Sequence, residues 1–185
     1  MHSSDIIDLI ADIFGRRGAE AYLGEAVTVA EHMLQTAALA QAEGAPDTVV
    51  AAALLHDIGH FMGEFGAYSS TDTIDRRHEA AGAKVLEGFF PASVTESVRL
   101  HVAAKRYLCG TDAAYYCTLS EPSKHSLALQ GGPMSELEIA EFEGLEFHRE
   151  AVQVRLWDDR GKTAGLRTGV FDEFRPLLHR VIAQR

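Results

Sequence analysis

The 185-residue sequence predicts an all-α helical bundle, and three observations carry that reading. Apolar residues recur at helical spacing through most of the chain. Helix start and stop residues bracket those stretches: Ser, Asp or Pro before them, Gly or Pro after them. No alternating apolar–polar run of any length occurs, as a half-buried strand would need.

The elements follow in order. Ser3 or Ser4 caps a first helix with Ile6, Ile7, Ile10, Ile13 and Phe14 on one face, and the glycines at 15 and 18 end it. A second helix covers about 25–43, with Val29, Met33, Leu34 and Ala37 as its stripe. Gly44-Ala45-Pro46 stops it, and Asp47 caps a third helix at about 47–58. Its run Val49-Val50-Ala51-Ala52-Ala53-Leu54-Leu55 is too continuous for a surface helix, which predicts the central, buried one. Gly59 breaks it, and residues 61–75, rich in Gly, Ser and Thr, read as a loop. A fourth helix covers about 76–88, and a fifth about 92–108, after Pro91. Residues 111–118 suggest a short helix, and Ser120-Glu121-Pro122 begins another. Residues 130–133 are a loop. Ser135-Glu136-Leu137-Glu138 opens a helix with a capping-box pattern. Further helices carry 152–157 and 171–183, with Pro176 either kinking the last or marking its first turn. Without repeats, low-complexity tracts or a linker, residues 1–185 read as a single domain.

Composition excludes several classes. Hydrophobic content of 46% and charged content of 24% are those of an ordinary globular protein. The net charge of −10 argues against a broad nucleic-acid footprint, though not against a cationic pocket for a small anion. Cys109 and Cys117 form no metal-binding pair and read as reduced thiols. No apolar run reaches the about 18 residues of a membrane span. The start Met1-His2-Ser3-Ser4-Asp5 lacks a basic segment and a cleavage site, so a cytoplasmic protein is expected. On oligomeric state the sequence is silent.

The chemistry sits in His32, His56-Asp57, His78, His101 and Asp158. Taken singly, a histidine on an apolar face is more often a hydrogen-bonded core residue, and His56-Asp57 suits a helix C-terminus. Together they form six N/O ligands on successive helices, which can meet in a bundle core. Six ligands exceed what one ion takes while keeping an open position. They suit two ions, with Asp57 bridging through its two oxygens. The lack of thiolates disfavours structural zinc, and the set is compatible with iron, manganese or zinc. His2, His125, His148 and His179 lack such a context and read as surface residues.

The order His32…His56-Asp57…Asp158 resembles the HD-domain superfamily of all-helical metal-dependent proteins. With His78 and His101 it resembles the mixed-valent diiron oxygenase branch, which includes myo-inositol oxygenase. Further blocks are similar to the 2-amino-1-hydroxyethylphosphonate dioxygenase family. They are Tyr22-Leu23-Gly24-Glu25-Ala26, Leu54-Leu55-His56-Asp57-Ile58-Gly59-His60 and His101-Val102-Ala103-Ala104-Lys105-Arg106-Tyr107-Leu108. Gln130-Gly131-Gly132-Pro133-Met134 and Trp157-Asp158-Asp159-Arg160-Gly161-Lys162 complete the set. They span about residues 20–162 in the family's order.

The resemblance implies an HD-domain bundle around a buried dinuclear centre of two Fe ions, in a mixed-valent Fe(II)/Fe(III) state. The reaction it implies is C–P cleavage of a 1-hydroxy-2-aminoethylphosphonate by O2, giving phosphate and glycine. Relatives acting on the N-trimethylated substrate give glycine betaine. Position by position, His32, His56, Asp57, His78, His101 and Asp158 match the iron ligands, with Asp57 the bridge. His60, Lys105, Ser123 and Gln130 match residues around the phosphonate. Tyr22 and Glu25 match a mobile segment, where the tyrosine occupies an iron before substrate arrives and the glutamate faces the amine.

Elementary chemistry is consistent with these roles. A phosphonate is a compact anion, for which Lys105 offers a point charge and Ser123 and Gln130 neutral donors. Lys105 lies four residues after His101, on one helix face. A trimethylammonium has no N–H to donate, so a carboxylate such as Glu25 at longer range and aromatic faces suit it. Tyr22, Phe61, Phe65 and Tyr68 are candidates for those faces, and Leu129 and the segment 61–75 for shaping the pocket. Taken alone, Lys105 and Glu25 are ordinary surface charges and Ser123 an ordinary helix-start residue. Two other classes share part of the pattern: an HD-type metal-dependent phosphohydrolase, and a degenerate HD protein that only binds a ligand. The intact ligand set speaks against the second. The choice between a primary and a trimethylated amine stays open.

Overall fold

The computed structural model describes residues 3–22, 24–62 and 73–184. Among them are α1 (Ser3–Arg17), α2 (Val29–Ala42), α3 (Asp47–Leu55), α4 (His78–Leu86) and α5 (Ala92–Thr111). These are followed by α6 (Ala113–Thr118), α7 (Glu121–Leu129), α8 (Glu136–Glu143), α9 (His148–Arg160) and α10 (Phe171–Ile182). A 3-10 turn, Ile58–Phe61, follows α3. The described residues contain no strand longer than the isolated bridge between Ala21 and Thr28. None of their helices is long and apolar enough to cross a membrane.

Helix α3 is the axis of the bundle, and every residue from Val49 to Leu55 is buried. Small alanines at 51, 52 and 53 let α2, α5, α9 and α10 approach it closely. Helices α1 and α10 close one side, and each is amphipathic. Ile6, Ile7, Ile10, Ile13 and Phe14 meet Phe171, Phe174, Leu177, Leu178 and Val181 in one continuous core. Phe14 and Phe171 pack with tilted rings, their centroids 4.7 Å apart. Pro176 neither begins α10 nor ends it but lies within it, on the exposed side.

Several boundaries differ from the sequence expectation. Helix α2 begins at Val29 rather than near residue 25, because Thr28 caps it and Glu31 completes a capping box. Residues ahead of it double back: Tyr22 donates its N–H to Val27 and Glu25 to Tyr22. Tyr22 and Glu25 therefore sit on a loop. Helix α9 starts at His148, earlier than expected, and α5 runs on to Thr111. Past α3 the chain tightens into the 3-10 turn because Gly59 lies against α4. A Cβ there would fall 1.9 Å from the His78 carbonyl oxygen.

Candidate metal centre

The six sequence-predicted ligands converge from five elements: His32 from α2, His56 and Asp57 from the end of α3, His78 from the first residue of α4, His101 from α5 and Asp158 from α9. His32, His56, Asp57, His101 and Asp158 are buried, and His78 nearly so. They form two groups. His32, His56 and Asp57 bring ligand atoms within reach of one ion, and Asp57, His78 and His101 do the same for another.

Asp57 joins the groups, one oxygen to each. Its Oδ2 lies 3.5 Å from His32 Nε2 and 3.4 Å from His56 Nε2. Its Oδ1 lies 3.2 Å from His78 Nε2 and 3.5 Å from His101 Nε2. Asp158 adds Oδ1 to the first group, 3.3 Å from His32 Nε2.

The donor set fits metal ions, and the hydrogen bonding shows why. His32 Nδ1 faces the Gly161 carbonyl at 3.0 Å, and His56 Nδ1 the Ala53 carbonyl at 2.8 Å. A carbonyl only accepts, so each Nδ1 carries a proton and each ring turns its Nε2 inward. Burial lowers the His32 imidazole, whereas at His56 the Asp57 and Asp158 carboxylates outweigh burial and raise it. The two Nε2 atoms stand 3.1 Å apart. His101, whose Nδ1 donates to Val98 at 2.7 Å, likewise aims its Nε2 at that of His78, 3.1 Å away. Asp57 Oδ2 and Asp158 Oδ1 are buried without a hydrogen-bond partner among the described residues. An ion held by each group would satisfy these buried nitrogens and oxygens together.

A pocket opens on this centre, lined by Tyr22, Asp57, His60, His78, His101, Val102, Lys105, Ser123, Ser126, Gln130, Arg155 and Asp158. Its free volume is about 30 Å³, enough to hold water. Tyr22 forms part of its wall: the ring stacks on His32 at 4.1 Å and meets His60 edge-on at 6.3 Å. Burial, then the Asp57 and Asp158 carboxylates, push the Tyr22 phenol well above its ordinary range. His60 stacks on His78 at 4.1 Å, with its Nε2 3.6 Å from Asp57 Oδ1. The 3-10 turn, rather than a continued helix, brings it there.

The far wall is cationic although the protein is acidic. Lys105 is buried and donates to Ser126 Oγ at 2.7 Å. Burial and the neighbouring Arg155 lower it to about 7. Ser123 accepts from Lys162 at 3.2 Å. Gln130, at the C-terminal end of α7, lines the pocket, and its Oε1 is buried without a hydrogen-bond partner among the described residues. Arg106 organises the loop behind it. It donates to Gly132 O at 2.9 Å and Glu138 at 2.6 Å, and its own carbonyl accepts from Met134. The sequence blocks around Lys105 and Gln130 are thus two halves of one structural unit.

Other placements depart from expectation. Glu25 does not line the pocket; its Oε1 accepts from Ser120 Oγ at 2.5 Å. Phe61 packs in the apolar core against Phe14, with Arg17 over its ring, and supplies no aromatic face to the pocket. Phe65 and Tyr68 lie outside the described residues. His125 and His148 lie half-buried at the surface, and His179 is exposed. Sequence reading missed Ser126, Arg155 and Lys162. Ser126 follows Ser123 by one helical turn, and Arg155 and Lys162 flank Asp158 at helical spacing, so the signal was periodicity around recognised residues.

Comparison with known proteins agrees with this geometry. The HD domain family model matches residues 29–159. The chain is 52% identical over 182 residues to 1-hydroxy-2-(trimethylamino)ethylphosphonate dioxygenase (glycine-betaine-forming) of Leisingera caerulea, covering 98% of this chain and 93% of that protein. It is 46% identical over 156 residues to hydroxymethylphosphonate dioxygenase of Gimesia maris, covering 84% and 78%. An uncharacterised protein of Acanthamoeba polyphaga mimivirus is 31% identical over 179 residues, covering 93% and 80%.

Proposed function

This chain belongs to the HD-domain family, and we propose that it is a diiron dioxygenase that cleaves the C–P bond of 1-hydroxy-2-(trimethylamino)ethylphosphonate with O2, yielding glycine betaine and phosphate. The observation that carries this reading is Asp57, whose two oxygens each face a separate pair of histidine nitrogens. A second histidine pair suits a second ion, and two-metal sites serve hydrolysis as well as redox chemistry, so the choice of reaction rests on the relatives. The likeness to two phosphonate dioxygenases supports both reaction and substrate class.

His32, His56, Asp57 and Asp158 would hold one iron, and Asp57, His78 and His101 the other, in a mixed-valent Fe(II)/Fe(III) pair. The bound pair supplies the redox chemistry with O2. The reaction balances without a further reductant: the substrate carbon ends as a carboxylate and the phosphorus as phosphate, with both oxygen atoms taken up. The chain's residues bind and orient. Lys105, Ser123, Gln130 and His60 hold the phosphonate over the centre. Tyr22 lines the pocket with its ring on His32, and its movement aside would make room for substrate. Its loop carries Glu25, whose carboxylate exchanges Ser120 for the substrate cation. The segment 61–75 and Leu129 are the candidates for the rest of the amine pocket.

The deciding assay loads the protein with iron and supplies the trimethylated and the primary-amine substrate in parallel, following O2 uptake and product. Glycine betaine from the first, at higher turnover than glycine from the second, is expected. No O2 uptake with either sinks the reading. Phosphate release from a phosphomonoester without O2 would point to a phosphohydrolase instead.

Lys105 predicts a pH dependence. Burial and the charges of Arg155, Asp158, Lys162 and Asp159 act on it, and in the empty pocket it loses its proton near pH 7. An anionic phosphonate favours the protonated lysine, so binding above that pH takes up a proton. The apparent KM therefore rises as pH climbs past about 7, by up to about tenfold per unit. Lys105→Met flattens this rise and weakens binding throughout, by about 10–100-fold for a lost charge-assisted contact. A Lys105→Met KM profile that still climbs like that of the wild type would contradict the assignment.

A further inference from the structure

Among the proposed ligands, Asp158 is held differently from the histidines. His32, His56 and His101 are each oriented by a backbone carbonyl. Asp158 is gripped by a buried guanidinium: Arg155 Nη1 donates to its Oδ2 at 2.7 Å. That bond engages Oδ2, which also lies 3.9 Å from His56 Nε2, while Oδ1 faces His32 Nε2 at 3.3 Å and Lys162 Nζ at 3.4 Å.

Arg155 is in turn fixed on its other edge. Nε donates to Asp159 Oδ2 at 3.1 Å and to the Tyr115 hydroxyl at 3.1 Å. Nη2 donates to Asp159 Oδ1, and the Tyr115 hydroxyl donates to Asp159 Oδ2. The fork is thus bidentate on Asp159 and single on Asp158. Asp159 neutralises the buried Arg155, so Arg155 can orient Asp158 without cancelling its charge. Helix spacing makes this local: Arg155, Asp158 and Asp159 lie within one turn of α9, and Tyr115 reaches in from α6.

We propose that Tyr115, Arg155 and Asp159 form a positioning network that fixes the orientation of Asp158 against the His32–His56 half of the centre, and so sets the metal affinity of that half alone. The proposal rests on the dinuclear reading above. Tyr115 is the informative member, because it lines neither the pocket nor the metal positions. Removing its hydroxyl loosens the fork while leaving every proposed ligand in place.

The test titrates metal-free protein with Mn(II) under argon, using calorimetry and the electron paramagnetic resonance of free ion. Wild-type protein binds two ions. Tyr115→Phe weakens one of them about tenfold and leaves the other unchanged, within the range for groups that orient a ligand. Arg155→Lys keeps the charge, loses the fork and weakens the same ion further, by up to about a hundredfold. In a His78→Ala background the surviving ion still responds to Tyr115→Phe; in a His32→Ala background it does not. Thermal unfolding of each metal-free variant checks that the bundle is intact. Two ions bound with unchanged affinities in Tyr115→Phe and Arg155→Lys overturn the network, as does equal weakening of both. A wild-type protein that binds fewer than two ions instead overturns the dinuclear reading on which the network depends.

Discussion

Asp57→Asn is expected to empty both metal positions at once and to lower C–P cleavage by more than about a hundredfold. Groups that merely orient a ligand cost about 10–100-fold in metal affinity or activity. Loss of a ligand shared by two ions must exceed that range. Asparagine keeps the shape of aspartate but replaces one oxygen by an amide nitrogen, which has no lone pair to offer a cation. Whichever way the amide turns, one histidine pair faces an N–H₂ group in place of an acceptor. The neutral amide also brings no negative charge to offset either ion. Metal content by elemental analysis and turnover on the same preparation check this, with circular dichroism confirming the helices. His78→Ala supplies the contrast, since it touches one group and is expected to leave the ion held by His32, His56 and Asp158. An Asp57→Asn protein that retains two ions and near-normal turnover would remove the bridge from the reading.

Gly59→Ala is expected to destabilise the fold by about 1–3 kcal/mol or more, the range for forcing a methyl into a packed site. The added Cβ would lie 1.9 Å from the His78 carbonyl oxygen and 2.8 Å from the Gly82 nitrogen. Both are backbone atoms, so no side chain can swing away. The first turn of α4 has to move, and His78 is its first residue. The substitution therefore couples stability to the site: the ion proposed at Asp57, His78 and His101 is expected to be lost preferentially. Urea unfolding and metal stoichiometry read the two effects. Gly15→Ala is the control, because no described atom lies within 4 Å of its Cβ and it sits inside α1. Relieving a helical glycine there raises stability by about 0.5–1 kcal/mol. Equal unfolding midpoints for Gly59→Ala and the wild type would show that the 3-10 turn and α4 are less tightly seated.

Much of the bundle is legible in the sequence because its information is local. The stripe Ile6, Ile7, Ile10, Ile13 and Phe14 has a helical period that only one face can satisfy, and all five are buried. The unbroken run from Val49 to Leu55 has no polar side to show to water, so it belongs in the middle. Boundaries were less legible. Residue 25 follows on into an apolar stripe, yet Thr28 and Glu31 cap the helix three residues later, and the chain before them is drawn into a turn by the bridge of Ala21 to Thr28. His148 begins α9 four residues ahead of the apolar positions that announce the helix.

The sequence by itself determined the residue types of the centre and their order along successive helices. Histidine and aspartate inside apolar helical stretches are costly unless something binds them, and that holds before any fold is known. Only the tertiary structure decided how the six divide. Which oxygen of Asp57 faces which histidines depends on where α2, α4 and α5 cross α3, and crossing is a property of packed surfaces. The same packing turned Phe61 into the core and tied Glu25 to Ser120. It also set Arg155 between Asp158 and Asp159. A side chain's neighbours in the chain announce its helix face. Its neighbours in space come from other helices, and no local pattern carries them.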